Sequence, residues 1–149
     1  MRVFVVAAVA ACGALLLTGW AEARLNSYRA SVIPPPKIQR AGHTYKLRVT
    51  VRNTGSAVHP FCLDFTDDHG SWSIEMPGLA SYDSDTFCMR RVLGAGVRKT
   101  LTAYVIAAKA GAHRMSILIG KAEIHKDSHR AFVTDSHALS WGSQFVIVS

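Results

Sequence analysis

The chain has 149 residues, three cysteines and a formal net charge of +7, with 49% hydrophobic residues. That length and apolar content suit one packed domain and exclude a disordered or low-complexity polypeptide. The charge favours acidic partners over basic ones.

Met1 and Arg2 give a short positive start, and Val3 to Trp20 is an 18-residue stretch without a charge. Ala21-Glu22-Ala23 then supplies the small-x-small pattern of a signal-peptidase site, so residues 1–23 read as a secretory signal peptide. Two competing readings remain: an uncleaved membrane anchor, and a lipoprotein anchored at Cys12 through the lipobox-like Val9-Ala10-Ala11-Cys12. Removal of residues 1–23 takes away one cation and one anion, leaving 16 Lys/Arg against 9 Asp/Glu. The expected destination is the periplasm or the exterior, with no membrane span after cleavage. In such an oxidising compartment the remaining pair, Cys62 and Cys88, reads as a disulfide.

Residues 24–41 form an N-terminal segment with a first strand, and 42–149 the main domain. "TYKLRVTVR" (44–52) alternates strictly, with Tyr45, Leu47, Val49 and Val51 on one face and Lys46, Arg48, Thr50 and Arg52 on the other. Such a period of two, rich in β-branched residues, marks a half-buried strand. Turn residues Asn53 to Ser56 end it. "PFCLDF" (60–65) and "SWSIEM" (71–76) alternate likewise, on either side of a turn at 67–70. "TFCMRRV" (86–92) reads as a short strand, Gly94-Ala95-Gly96 as a loop, and "RKTLTAYVIAA" (98–108) as a long strand. "RMSILIG" (114–120) follows, then "HRAFVT" (129–134), and "SQFVIVS" (143–149), whose continuous apolar centre predicts a strand covered on both faces. No stretch of helical period lies outside the signal. Seven or eight short strands with regular turns predict an all-β, immunoglobulin-like antiparallel sandwich.

The succession V-R-N-T-G-S, W-x-I-x-x-P-G, L-G-A-G-x-x-x-T-L-T-x-x-V and A-G-A-H-x-M-x-I, within residues 42–120, is similar to bacterial immunoglobulin-like domains of the CARDB (cell-adhesion-related) kind and to accessory sandwiches of bacterial glycosidases. The resemblance implies a non-catalytic module. The cysteine pair and the histidine-bearing stretch 121–142 depart from that pattern.

"KDSHRAFVTDSH" (126–137) holds Asp-Ser-His twice. Neighbouring residues of an extended chain point to opposite faces, so neither copy forms a relay by itself. Asp-Ser is turn chemistry. His125, His129, Asp135 and His137 together offer imidazole and carboxylate ligands suited to copper or zinc. His59 and His69 fit that role less well, and His113, at a strand corner, reads as a packed imidazole. No nucleophile elbow, zincin motif or phosphate loop is present.

The cations form two groups. Lys46, Arg48 and Arg52 share a strand face, and Arg90, Arg91, Arg98 and Lys99 flank the 94–96 loop. They suit anionic lipid, a charged glycan or an acidic protein. Nucleic acid is disfavoured by the export signal and by the lack of interleaved aromatics. The leading expectation is an exported, non-enzymatic envelope module with a protein or glycan partner and no cofactor. A periplasmic copper or zinc protein is the alternative.

Overall fold

A computed structural model describes residues 28–55, 58–67, 70–134 and 140–149, without the side chains of residues 140 and 141. Residues 1–23, expected to be a signal peptide, lie outside these residues. The strands are β1 (Tyr28–Ile33), β2 (Ile38–Arg40), β3 (Thr44–Asn53), β4 (Phe61–Asp67), β5 (Trp72–Glu75), β6 (Ala80–Ser81), β7 (Thr86–Cys88), β8 (Arg98–Ala107), β9 (Gly111–His125), β10 (Arg130–Thr134) and β11 (Ser140–Val148). One 3₁₀ turn, Lys126–Ser128, separates β9 from β10. No helix among the described residues is long and apolar enough to cross a membrane.

Two sheets form an immunoglobulin-like sandwich. One has the order β1-β3-β8-β5, and the other β2-β11-β9-β4-β7-β6, with β10 alongside β9. The first is the A-B-E-D order of the immunoglobulin fold. All pairings are antiparallel except β2 with β11, which run parallel. The chain enters in one sheet, crosses through Pro34-Pro35-Pro36, and joins the edge of the other. Proline suits that crossing because it needs no ladder donor.

Alternation places the core. Leu47, Val49 and Val51 of β3 meet Phe61, Leu63 and Phe65 of β4, Leu101, Ala103 and Val105 of β8, and Met115, Ile117 and Ile119 of β9 in one apolar cluster. Each large side chain so buried contributes roughly 1.5–3 kcal/mol. Polar anchors lock the ends. Trp72 Nε1 donates to Gln39 Oε1 at 2.9 Å, and Gln39 Nε2 donates to the Pro36 carbonyl at 3.1 Å, so β2 is tied across the sandwich to β5. Asn53 Nδ2 donates to the Leu93 carbonyl, and Gly96 N donates to the Asn53 carbonyl at 3.0 Å. The V-R-N-T-G and L-G-A-G segments are thus two halves of one clasp.

Every strand read from the sequence is present. β2 and β6 are additional, at three and two residues too short to carry a period. β7 stops at Cys88, and β9 runs fifteen residues rather than seven. The last strand departs from expectation. Val146 and Val148 are 47% and 40% exposed while Phe145 and Ile147 are buried, so β11 has one covered face and not two. Here β11 is flanked within its sheet by β9 and the short edge strand β2, and the outward side chains of Val146 and Val148 face away from the core.

Candidate binding surface

Cys62 and Cys88 face each other in register on β4 and β7, and their sulfurs are bonded at 1.96 Å. The bridge joins two strands of one sheet on its outer side. Ala122 and Ala131 cover it from the β9–β10 hairpin, with Tyr82, Ile124 and Val133 packed around. The far half of the hairpin is therefore a lid over the disulfide, which gives the unexpected stretch 121–134 a packing role.

The first Asp-Ser-His copy is a turn. Lys126–Ser128 make the 3₁₀ turn, and His129 takes the left-handed conformation at φ 50°. The turn separates the two described histidines chemically. His125 Nε2 stands 3.3 Å from Glu123, and its ring packs edge-on against Phe132 at 5.5 Å. His129 instead lines a hollow with Tyr82, Arg90, Ile124 and Lys126, beside two cationic side chains. Asp135 and His137 lie outside the described residues. Among the described residues no three His, Cys, Asp or Glu side chains converge as metal ligands.

His113 is the packed imidazole expected at its corner. Its Nδ1 lies 2.8 Å from Ser71 Oγ, its Nε2 3.4 Å from the Ala110 carbonyl, and its ring contacts Trp72 edge-on. The Nε2 proton belongs on that carbonyl, which leaves Nδ1 to accept from the serine hydroxyl. Ser71 is 0% exposed and His113 half-buried, and the pair ties the residue before β5 to β9 as a clasp. Asp67 is equally structural: its carboxylate accepts from Gly70 N and Trp72 N at 3.1 and 2.9 Å.

Sequence reasoning passed over Asp64. It lines a shallow hollow with Asp83, Asp85, Thr86 and the edge of β10. Burial chiefly, then the negative charges of Asp83 and Asp85, push its carboxyl above the usual range, while a hydrogen bond with Thr86 opposes the shift. The alternation in "CLDFTD" puts Asp64 on the same face as Cys62, but nothing in the sequence brings Asp83 and Asp85 to it.

The cations distribute unevenly. Lys46, Arg48 and Arg52 all lie on the outer face of the four-stranded sheet, since Leu47, Val49 and Val51 are buried on the inner one. Arg98 joins them, in register with Arg52. Lys99 takes the opposite parity, beside Val51. Arg90 and Arg91 are exposed in the β7–β8 connection, away from this face. Arg29, which was not singled out from the sequence, completes the set: it is in register with Arg52 on β1 and exposed. The alternation of "YRASVI" was the signal that could have found it. Glu75 is the acid on this face, at the far end beside Tyr104. Among the described residues no carboxylate forms a salt bridge with these cations, and His125 pairs with Glu123 elsewhere.

No family model matches the chain, and no curated protein matches it. Solved structures do. A conjugative transposon lipoprotein from Bacteroides eggerthii superposes with a TM-score of 0.51 at 16% identity, over 80% of this chain and 96% of that one. The CARDB domain of a Pyrococcus furiosus protein, solved in complex with di-metal ions, gives 0.50 at 12% identity, over 84% and 90%. AvmM, which catalyses macrocyclization in alchivemycin A biosynthesis, gives 0.51 at 10% identity, over 83% and 89%. At such identities the likeness is one of fold, and one fold serves unrelated tasks. The chain shares the immunoglobulin-like sandwich fold of these structures, a CARDB domain among them.

Proposed function

We propose that the chain is an exported, non-catalytic binding module of the bacterial cell envelope, which holds an acidic protein or glycan against the outer face of its four-stranded sheet. One observation carries this reading: Arg29, Lys46, Arg48, Arg52 and Arg98 share that exposed face and form no ion pair among the described residues. Charge gathered on a rigid sheet and left without internal partners favours an external anion. The cysteine bridge supports an oxidising compartment. The Ser71 hydroxyl, which pairs with His113, belongs to a wholly buried residue, and this supports a module rather than a catalyst.

The test is retention by envelope material. Mature, disulfide-bonded protein (residues 24–149) is mixed with a washed envelope fraction and sedimented at about 50 mM and 500 mM salt, which shorten the screening length several-fold between them. Co-sedimentation at low salt and release at high salt is expected. Absence from the pellet at low salt, or retention indifferent to salt, overturns the proposal.

A further inference from the structure

On the outer face of the four-stranded sheet, Arg29 of β1 pairs in register with Arg52 of β3, and Arg52 with Arg98 of β8. Three guanidinium side chains therefore stand in one row across three adjacent strands. All three residues are exposed. Strand spacing sets the pitch at about 4.8 Å, so the row spans roughly 10 Å. Like charges directly opposite each other destabilise a sheet. Among the described residues no carboxylate pairs with the row.

The surroundings of the row describe its ligand. The next row is Ser31, Thr50 and Thr100, all hydroxyls, with Thr50 and Thr100 hydrogen-bonded at 3.1 Å. Beyond it come Arg48 beside Thr102, then Lys46 beside Tyr104. The face is thus a flat array of guanidinium forks and hydroxyls with a half-buried tyrosine at its far end. Arginine forks match carboxylates in two-point contacts, hydroxyls match sugar hydroxyls, and the strand pitch is comparable to the length of one pyranose unit. A lipid surface would call for apolar side chains to insert beside the cations. Ile33 is the one large apolar side chain strongly exposed on this face, while Ile38, Val58, Val92, Val97, Phe132, Val146 and Val148 are exposed elsewhere.

We infer that the Arg29–Arg52–Arg98 row is the recognition site for an acidic polysaccharide, a glycan bearing a carboxylate on successive sugars. The inference rests on the binding-module reading and names the partner class that reading leaves open. Arg52, central in the row, holds the ligand from both sides, and Arg29 and Arg98 extend the contact to its neighbours.

The experiment is a calorimetric titration of the mature, disulfide-bonded protein at about 50 mM salt, a screening length beyond 10 Å. The probes are polygalacturonate, neutral dextran, poly-glutamate and phosphatidylglycerol vesicles, and the variants are R52Q, R29Q/R98Q and, away from the face, R90Q. Binding of polygalacturonate and not dextran is expected. R52Q should lose at least tenfold in affinity and R90Q less than twofold. R52Q should also melt no lower than the parent, because it removes two like-charge contacts. A lower melting point would show that the row serves the fold and would overturn the inference. So would equal affinity in R52Q and parent. Preference for poly-glutamate or vesicles would overturn the glycan assignment while leaving the cationic module standing. Failure to bind any probe, with envelope retention intact, would overturn the site alone, and loss of retention itself would remove the module reading.

Discussion

Asp64 carries the clearest energetic conflict in the molecule. Its carboxylate is partly buried beside Asp83 and Asp85, so its folded value lies above the usual 3.8. A carboxyl raised in the folded state binds its proton more tightly there than in the unfolded chain. Stability from this group is therefore complete below the ordinary value and is lost as pH rises through the folded one. Asp64→Asn should accordingly stabilise the domain at neutral pH, by less than about 1 kcal/mol because the site is screened by solvent. Thermal melts at pH 7 and pH 3.5 check this: the variant should exceed the parent at the first and match it at the second. An equal difference at both would locate the effect in packing instead of charge.

At the scale of elements, the β9–β10 hairpin and the disulfide form a unit. Cys62 and Cys88, 26 residues apart, are wholly buried beneath Ala122 and Ala131. The chain-entropy model gives such a loop about 3 kcal/mol of stabilisation. Cys62→Ala/Cys88→Ala should lower the unfolding free energy in a urea titration by about that amount, plus a smaller loss for the emptied volume. An unchanged midpoint would mean that the hairpin and strands hold their register without the bridge. The two cysteines were legible as a pair from their even count after residue 23 and the oxidising compartment expected from the N-terminal segment. Their placement within one sheet was not, because it depends on the register of β4 against β7. The same limit explains β9. Its alternation reads clearly to Gly120, and the continuation to His125 follows from pairing with β10, a strand legible at 129–134 whose partner was not.

Charge is a property of the whole molecule. The outward face of β3 was legible residue by residue, since Lys46, Arg48 and Arg52 alternate with buried Leu47, Val49 and Val51. The three-arginine row was not, because it exists only after β1, β3 and β8 align. A net +7 chain with a like-charge row that no carboxylate pairs with among the described residues gains from screening. Its melting temperature should rise between about 10 and 300 mM sodium chloride, as the screening length falls from roughly 30 Å to below 8 Å. A fall over that range would mean that attractive surface pairs outweigh the repulsion.

The parallel partnership of β2 with β11 bears on how the chain reaches this state. Ile38 pairs with Val146, Gln39 with Ile147 and Arg40 with Val148, so an early segment waits for one about a hundred residues downstream. Until β11 arrives, β2 has no ladder, and the tie from Gln39 to Trp72 cannot be set in place. Contacts between such distant parts of a chain slow folding, since loop closure must precede any gain from pairing. A chain made from its beginning therefore cannot complete this sandwich before β11 is available.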